Sequence, residues 1–241
     1  MNDLISTQGF RQDGRRANEI RRMNCTIYDH RYKGIDSSIF FEQGLTKLLV
    51  SVVGPTPTSG NNPGLNINCN FKIAPFSSQD RRKRTKNDKL CTENSMLISK
   101  TFSSVIGEFY NKSQININIM LIEGDGSVKS AAINATSIAL ALAGINMRDL
   151  IVSATCGSFG KYIFHDLTQM EVEALKSNIL LAINSTDNEI YPVTIDINGK
   201  ADQDAVENLT QEAFIACKTA SYRIRNFLKV YTSNKIQNMI K

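Results

Sequence analysis

Residues 113–151 read SQININIMLIEGDGSVKSAAINATSIALALAGINMRDLI, and three structural patterns follow one another in them. Apolar residues first alternate with polar ones, which is the pattern of a strand with one buried face: Ile115, Ile117, Ile119 and Leu121. The turn Gly124-Asp125-Gly126 ends this strand. The run from 129 to 143 then predicts a helix that ends at Gly144. Its apolar residues lie nearly all round, so we expect the helix to be buried against a sheet.

The chain before this stretch predicts mainly β-structure. Short runs rich in Ile, Val, Leu and Phe, bounded by turn residues, predict four strands at about 25–30, 38–42, 46–54 and 66–74. A helix is predicted from about 93 to 110, because four apolar residues recur there at spacings of four, three and four. They are Ile98, Phe102, Val105 and Phe109.

After the central stretch, strands are predicted at 151–155, 179–184 and 191–197, and a long amphipathic helix over the last 40 residues. The order of strands, helix, strand, helix, strands and helix predicts an α+β fold with mixed sheets packed with helices. We expect one domain over residues 1–241, with 1–9 as an N-terminal tail.

Composition narrows the class of protein. The chain has 241 residues, a net charge of +5, 41% hydrophobic and 21% charged residues, values typical of a soluble globular protein. The five cysteines form no CxxC pair, and neither His30 nor His165 lies at ligand spacing from a cysteine, so we expect reduced thiols and no metal site. No signal-peptide pattern and no run of 18 apolar residues is present, so no membrane association is expected.

Two clusters of basic residues stand out. The first has six basic residues in nine positions: Arg81, Arg82, Lys83, Arg84, Lys86 and Lys89. Arginines clustered on a loop bind phosphate oxygens bidentately, so this run is a candidate RNA-binding loop; the alternative is a solvated loop. The second cluster is interleaved with Asp13 and Glu19, which favours salt bridges at the domain edge. It comprises Arg11, Arg15, Arg16, Arg21 and Arg22.

Candidate chemistry is sparse. The turn before the central helix offers backbone amides at a helix N-terminus, with Ser127 and Lys129 as further donors, and this is a weak signal for an anion site. The best carboxylate group is Asp166, Glu171 and Glu173, which follows His165. No pattern indicates a nucleophile triad.

Four segments together resemble the RNase PH family, and within it the RNA exosome ring subunits of the ribosomal-RNA-processing-protein forty-one type. They are FRQDGRRANEIR (10–21), FFEQGLTKLLVSVVGP (40–55), NCNFKIAPFSSQDRRKR (68–84) and the central stretch 113–151. The resemblance covers about residues 9 to 235. It implies a single RNase PH domain of the ribosomal protein S5 domain 2-like fold.

The resemblance also implies partners. Other RNase PH-like exosome subunits would complete a six-membered ring, RNA would thread its channel, and S1/KH cap proteins and a hydrolytic nuclease would associate with it. It implies a location in the nucleus, the nucleolus and the cytoplasm. It places the basic loop, Arg81–Lys89, where relatives line the RNA path.

Catalytic members of this family use inorganic phosphate to cleave the terminal phosphodiester. They hold the phosphate with a Gly-Ser-Arg turn and use two aspartates six residues apart, after an Asp-Leu pair. Here the Asp-Leu pair is Asp166-Leu167. The turn falls on Ser127-Val128-Lys129, and the aspartate positions fall on Val172 and Asn178. Because valine and asparagine do not titrate, the resemblance predicts a non-catalytic subunit without a cofactor.

The alternative to a non-catalytic subunit is an enzyme. The chain could be an active phosphate-dependent 3′-to-5′ exoribonuclease that releases nucleoside diphosphates. Such an enzyme would use inorganic phosphate and a divalent metal in a remodelled site. Its residual candidates would be Lys129, Asp166, and Glu171 or Glu173.

Overall fold

A five-stranded mixed sheet comes from the first half of the chain. The computed structural model describes residues 4–28, 34–58, 64–78, 88–107, 110–160, 162–186, 190–200 and 202–240, with backbone alone at 239 and 240. The strands are β1 (Met23–Ile27), β2 (Ser37–Gln43), β3 (Thr46–Pro57), β4 (Asn66–Ile73) and β5 (Ser113–Glu123). Their order is β1-β2-β3-β5-β4, and only β4 and β5 run parallel. A crossover helix, α1 (Lys89–Ile106), joins these parallel strands, because a tight hairpin cannot.

The second sheet has four antiparallel strands. They are β6 (Ile151–Phe159), β7 (Tyr162–His165), β8 (Ser177–Asn184) and β9 (Pro192–Gly199), in the order β7-β6-β8-β9. A short helix, α3 (Gln169–Ala174), connects β7 to β8.

The central helix, α2 (Val128–Leu142), lies between the two sheets. It contacts β2 and β3 of the first sheet and β6 and β8 of the second. Every residue from Ser130 to Leu140 is buried, as predicted from the near-uniform apolar pattern. The long helix α4 (Gln203–Ile240) covers the other face of the second sheet, with contacts to β6, β7 and β8. Strand β6 is therefore buried on both faces, and its residues 151–157 show no alternation.

The predicted strands and helices are confirmed where the structure describes them, and so is the α+β class. His30 of the first predicted strand and Phe109 of the first predicted helix lie outside the described residues, and α1 ends at Ile106, before its predicted end at about 110. Two short elements, β7 and α3, were not predicted. Helix α1 begins four residues before its predicted start, because the side chain of Asp88 caps it by accepting a hydrogen bond from the amide of Leu90.

The N-terminal segment is packed against the second sheet. Leu4 is 3% exposed and lies in a small apolar cluster with Phe164 and Leu167. From Leu4 onward, the stretch expected to be a tail is therefore part of the folded structure.

Two further expectations concern the thiols and the membrane. All five cysteines are free thiols, and burial raises the pKa of Cys25 and Cys69 to about 12. These two thiols are therefore protonated at neutral pH. In the described ranges, no helix combines the length and the hydropathy needed to span a bilayer.

Candidate functional site

A cleft of about 960 Å³ opens where the N-terminus of α2 meets both sheets. The structure brings all five positions of the predicted phosphate and aspartate sites to this one cleft, although they are spread over 52 residues of sequence: Ser127, Val128, Lys129, Val172 and Asn178. Phe76 and Leu90 form part of its rim, at exposures of 69% and 53%. The family-based mapping therefore corresponds to one physical site.

The turn that opens α2 is held tightly against the segment after β7. Ser127, the N-cap, has φ of +47°, and its hydroxyl donates to the carbonyl of Leu167 at 2.9 Å. Gly126 has φ of +70°, and a Cβ there would lie 2.3 Å from the same carbonyl oxygen. The resemblance places Ser127 at the glycine position of the family turn, and a left-handed backbone is a conformation that glycine adopts without strain. The first amides of α2 have no intrahelical acceptor, so the backbone still offers an anion-binding geometry.

Lys129, the lysine of this turn, forms an ion pair with a carboxylate of the second sheet. Its Nζ lies 2.5 Å from Oδ2 of Asp196 on β9, and the two side chains are 35% and 27% exposed. A carboxylate at this distance competes directly with any phosphate for the ammonium group. Sequence reasoning missed Asp196, because a lone aspartate in a strand carries no local signal of its partner on α2.

The two positions that the resemblance assigns to catalytic aspartates carry neutral residues, one packed on an apolar cluster and one paired within a sheet. Val172 packs on the apolar cluster of Leu4, Phe164 and Leu167. Asn178 lies on β8, opposite Gly157 of β6 and Asn198 of β9. Neither side chain can take up or release a proton near neutral pH.

Three carboxylates do line the cleft, and each accepts a hydrogen bond or forms an ion pair. Glu123 lies 2.8 Å from Nζ of Lys47, and Asp125 lies 3.3 Å from a guanidinium nitrogen of Arg21. Glu173 accepts from the side-chain amide of Gln169 at 2.7 Å. Among the described residues, no group of three His, Cys, Asp or Glu side chains comes together at metal-ligand distances.

Asp166 lies beneath the cleft instead of lining it. It is 1% exposed, and its carboxylate accepts from the backbone amide of Arg21 at 2.9 Å and from its guanidinium at 2.7 and 3.0 Å. Burial by itself would raise the pKa of Asp166, but the hydrogen bonds and charge of Arg21 outweigh it and lower that pKa. An ionised carboxylate in this environment positions the chain and is not available for proton transfer.

Glu171 is likewise buried and paired. It forms an ion pair with Arg11, whose Nε donates to Oε1 at 2.6 Å, and it closes a capping box with Thr168 at the start of α3. Of the carboxylates proposed for a remodelled active site, only Glu173 reaches the cleft.

Two of the five N-terminal arginines have a different role from the edge salt bridges that the sequence predicted. Arg15 does pair with its neighbour Asp13, at 2.5 Å. Arg11 and Arg21, in contrast, are 3% and 5% exposed, and they bind residues 145 to 160 positions away in sequence. Their hydrogen bonds hold the segment from His165 to Glu171 in place, and this segment supports the floor of the cleft.

Most of the predicted RNA-binding loop falls outside the described residues: Arg81, Arg82, Lys83, Arg84 and Lys86. Lys89 is described as the first residue of α1, and its exposed side chain lies 3.7 Å from Glu93, one turn further along the helix. Phe76, Ser77 and Ser78 line the cleft before the loop, and Leu90 lines it after the loop. The described residues on either side of the loop, Ser78 and Leu90, therefore line the cleft.

Two sheets enclosing α2, with a glycine-rich turn at one end of that helix, define an RNase PH-type domain. The model of the 3′ exoribonuclease family, domain 1 (RNase PH), matches residues 19–146, and the chain belongs to this family.

Particular relatives agree with this assignment. The chain is 37% identical to an RRP41 exosome complex component of Caenorhabditis briggsae, over 80% of this chain and 81% of the relative. It is 32% identical to the exosome complex component RRP41 homolog of Arabidopsis thaliana, over 95% and 96%. The crystal structure of rice Rrp46 superposes with a TM-score of 0.77 at 24% identity, over 90% of this chain and all of that one, which shows a shared fold.

Proposed function

We propose that this chain is a ring subunit of an RNA exosome and that it contacts RNA without performing phosphorolysis. Family membership and the exosome components among its relatives support the first part. The second part rests on the resemblance, which places Val172 and Asn178 at the aspartate positions, and one observation carries it: both residues line a cleft whose lysine is paired with Asp196.

This combination removes two requirements of phosphorolysis. The attacking phosphate must be held by a positive charge, and Lys129 shares its charge with Asp196. The reaction also needs groups that manage protons or a metal ion beside the scissile bond, and valine and asparagine supply neither. The cleft keeps its shape and its backbone amides, so it can hold an RNA end without cleaving it.

The proposal includes partners and location. Other RNase PH-like subunits would complete a six-membered ring, S1/KH cap proteins would bind it, and an associated hydrolytic nuclease would cleave the RNA. We propose no cofactor for this chain, and a location in the nucleus, the nucleolus and the cytoplasm. The basic loop, Arg81–Lys89, would contact the RNA, since Ser78 before it and Leu90 after it line the cleft.

A phosphorolysis assay tests the non-catalytic role. The purified chain, alone and assembled with its ring partner, is incubated with single-stranded RNA, inorganic phosphate and Mg²⁺. We expect no phosphate-dependent release of nucleoside diphosphates. Release that Glu173→Gln or Lys129→Ala in this chain abolishes would establish the alternative, an active enzyme. Neither residue is buried, so both variants should fold, whereas a variant of buried Asp166 would confuse catalysis with stability.

A further inference from the structure

The C-terminal part of α4 is strongly basic. From Ala213 to Lys241 the sequence contains six Lys or Arg and no Asp or Glu. The charge of this segment exceeds the net +5 of the whole chain. The acidic residues of the same helix all precede it: Asp204, Glu207 and Glu212. A charge separation of this kind within one helix creates a local positive field that the net charge of the chain does not reveal.

Four exposed residues of this segment lie on one side of the helix. Lys218, Tyr222, Asn226 and Lys229 follow one another at spacings of four, four and three, which places them on one face. The face is about 16 Å long, from the rise per residue of an α-helix. Tyr222 is 74% exposed, the highest value among the exposed large hydrophobic residues. These four residues are called the α4 basic face below.

A groove of about 600 Å³ runs beside this face. Ile20, Arg22 and Met23 form one wall, and α4 forms the other with Tyr222, Arg223, Asn226, Phe227 and Val230. The guanidinium of Arg223 donates to the carbonyl of Arg21 at 2.9 Å and so holds the two walls together. The groove is therefore held in shape by a hydrogen bond between its walls, and its lining includes cationic and aromatic side chains.

We infer that the α4 basic face and its groove form a second contact surface for single-stranded RNA, separate from the cleft. Non-specific binding of single strands combines cationic groups along the backbone with aromatic rings on which bases stack. The face has both, with Tyr222 between two lysines and Asn226 as a base-edge donor and acceptor. The exposed ring lies between the two lysines, which is the arrangement that single-strand binding uses, and this favours RNA as the occupant.

The surface is distinct from the cleft in position. Helix α4 covers the face of the second sheet opposite α2, whereas the cleft opens at the N-terminus of α2. Consecutive residues of the N-terminal segment reach both places, because Arg21 supports the floor of the cleft and Arg22 lines the groove. This inference rests on one part of the proposed function, namely that the chain binds RNA.

Fluorescence anisotropy with the full-length chain and a labelled single-stranded RNA tests this surface. We expect Tyr222→Ala to weaken binding about tenfold, since it removes the ring on which a base would stack. Tyr222→Phe keeps the ring and should bind like the wild type. Lys218→Glu with Lys229→Glu should weaken binding about tenfold or more and reduce the slope of log K against log salt by about 1.4. The matched control, Lys72→Glu with Lys100→Glu, makes the same charge change at exposed positions on β4 and α1 and should have a small effect.

The outcomes separate this inference from the proposed function. Wild-type affinity in all α4 variants, with loss in a variant of the Arg81–Arg84 loop, would overturn the α4 surface and leave the proposed RNA contact intact. Failure of the wild-type chain and its assembled ring to bind RNA would overturn both. A polyglutamate peptide that displaces the RNA, together with insensitivity to Tyr222→Ala, would assign the face to an acidic protein and overturn the RNA assignment.

Discussion

Arg21 and Asp166 form a buried ion pair at the floor of the cleft, with side chains that are 5% and 2% exposed. Removing one partner leaves an uncompensated buried charge, so we expect Asp166→Ala to lower the free energy of unfolding by about 3–5 kcal/mol. Urea denaturation measures this loss. The matched control is Asp196→Ala, which breaks a more exposed ion pair and should cost about 1 kcal/mol or less. Equal losses in the two variants would contradict the structural role of Asp166.

His165 makes the stability of the fold depend on pH. Burial, opposed by a hydrogen bond to Glu212 at 2.9 Å, lowers its pKa below the usual 6.5. The unfolded chain therefore takes up the proton first as the pH falls. The stabilisation is complete above about pH 6.5 and is lost as the pH falls towards the folded-state pKa. We expect His165→Gln to flatten the profile of unfolding free energy between about pH 7 and pH 5. A profile with the wild-type slope in this window would contradict the assignment.

The ion pair between Lys129 and Asp196 should determine whether the cleft binds phosphate. If the carboxylate competes for the lysine, Asp196→Asn should create phosphate binding at the α2 turn. The melting temperature of this variant should then rise with phosphate concentration, because a ligand that binds only the folded state stabilises it. The wild type should respond to phosphate as it does to chloride at equal ionic strength. An equal phosphate-specific rise in both proteins would show that Asp196 does not block the site.

At the scale of elements, the turn into α2 depends on close approach of two backbone segments. We expect Gly126→Ala to be strongly destabilising, because its Cβ would lie 2.3 and 2.4 Å from backbone atoms of Leu167 and Thr168, which cannot rotate away. Gly144→Ala is the control. It has a similar φ of +75° but no atom within 4 Å of the added carbon, so it should cost only the left-handed strain of about 1–2 kcal/mol. Thermal unfolding compares them, and equal shifts would contradict the steric argument.

Elements with a long periodic pattern were predictable, and short ones were not. The alternation of Ile115 to Leu121 identifies β5, because it repeats a period of two several times. The run from 129 to 143 identifies α2 by its length, its apolar composition and the glycine that follows it. Strand β7 has four residues and α3 has six, so neither repeats long enough to show a period. Their positions depend on tertiary contacts, such as the ion pair between Arg11 and Glu171.

The candidate site was predictable only in part for the same reason. The turn Ser127–Lys129 and the positions Val172 and Asn178 follow from segments that resemble a family, and the structure brings them to one cleft. The pairing of Lys129 with Asp196 joins residues 67 positions apart, and no local pattern encodes it. The basic cluster at the N-terminus was interpreted as an edge feature, because sequence does not show that Arg11 and Arg21 are buried.

At the scale of the whole molecule, the modest net charge of +5 conceals two concentrations of positive charge. One lies in the sequence at Arg81–Arg84, between Ser78 and Leu90, which line the cleft, and the other lies in the C-terminal part of α4. We expect the triple variant Arg81→Glu, Arg82→Glu and Arg84→Glu to weaken RNA binding by the chain and by its assembled ring. Loss of three phosphate contacts should reduce the slope of log K against log salt by about 2. Unchanged affinity would identify the loop as a solvated insertion.

Combining the loop variant with Lys218→Glu and Lys229→Glu shows how the two regions act together. The two sets of substitutions change different segments of the chain, so their effects on binding free energy should add when one RNA spans both. An RNA too short to reach both regions should respond to one variant set only. Additive losses with long RNA and a single loss with short RNA would place both regions on one path. Additive losses at every RNA length would instead show a non-specific effect of net charge, which the Lys72→Glu and Lys100→Glu control measures independently.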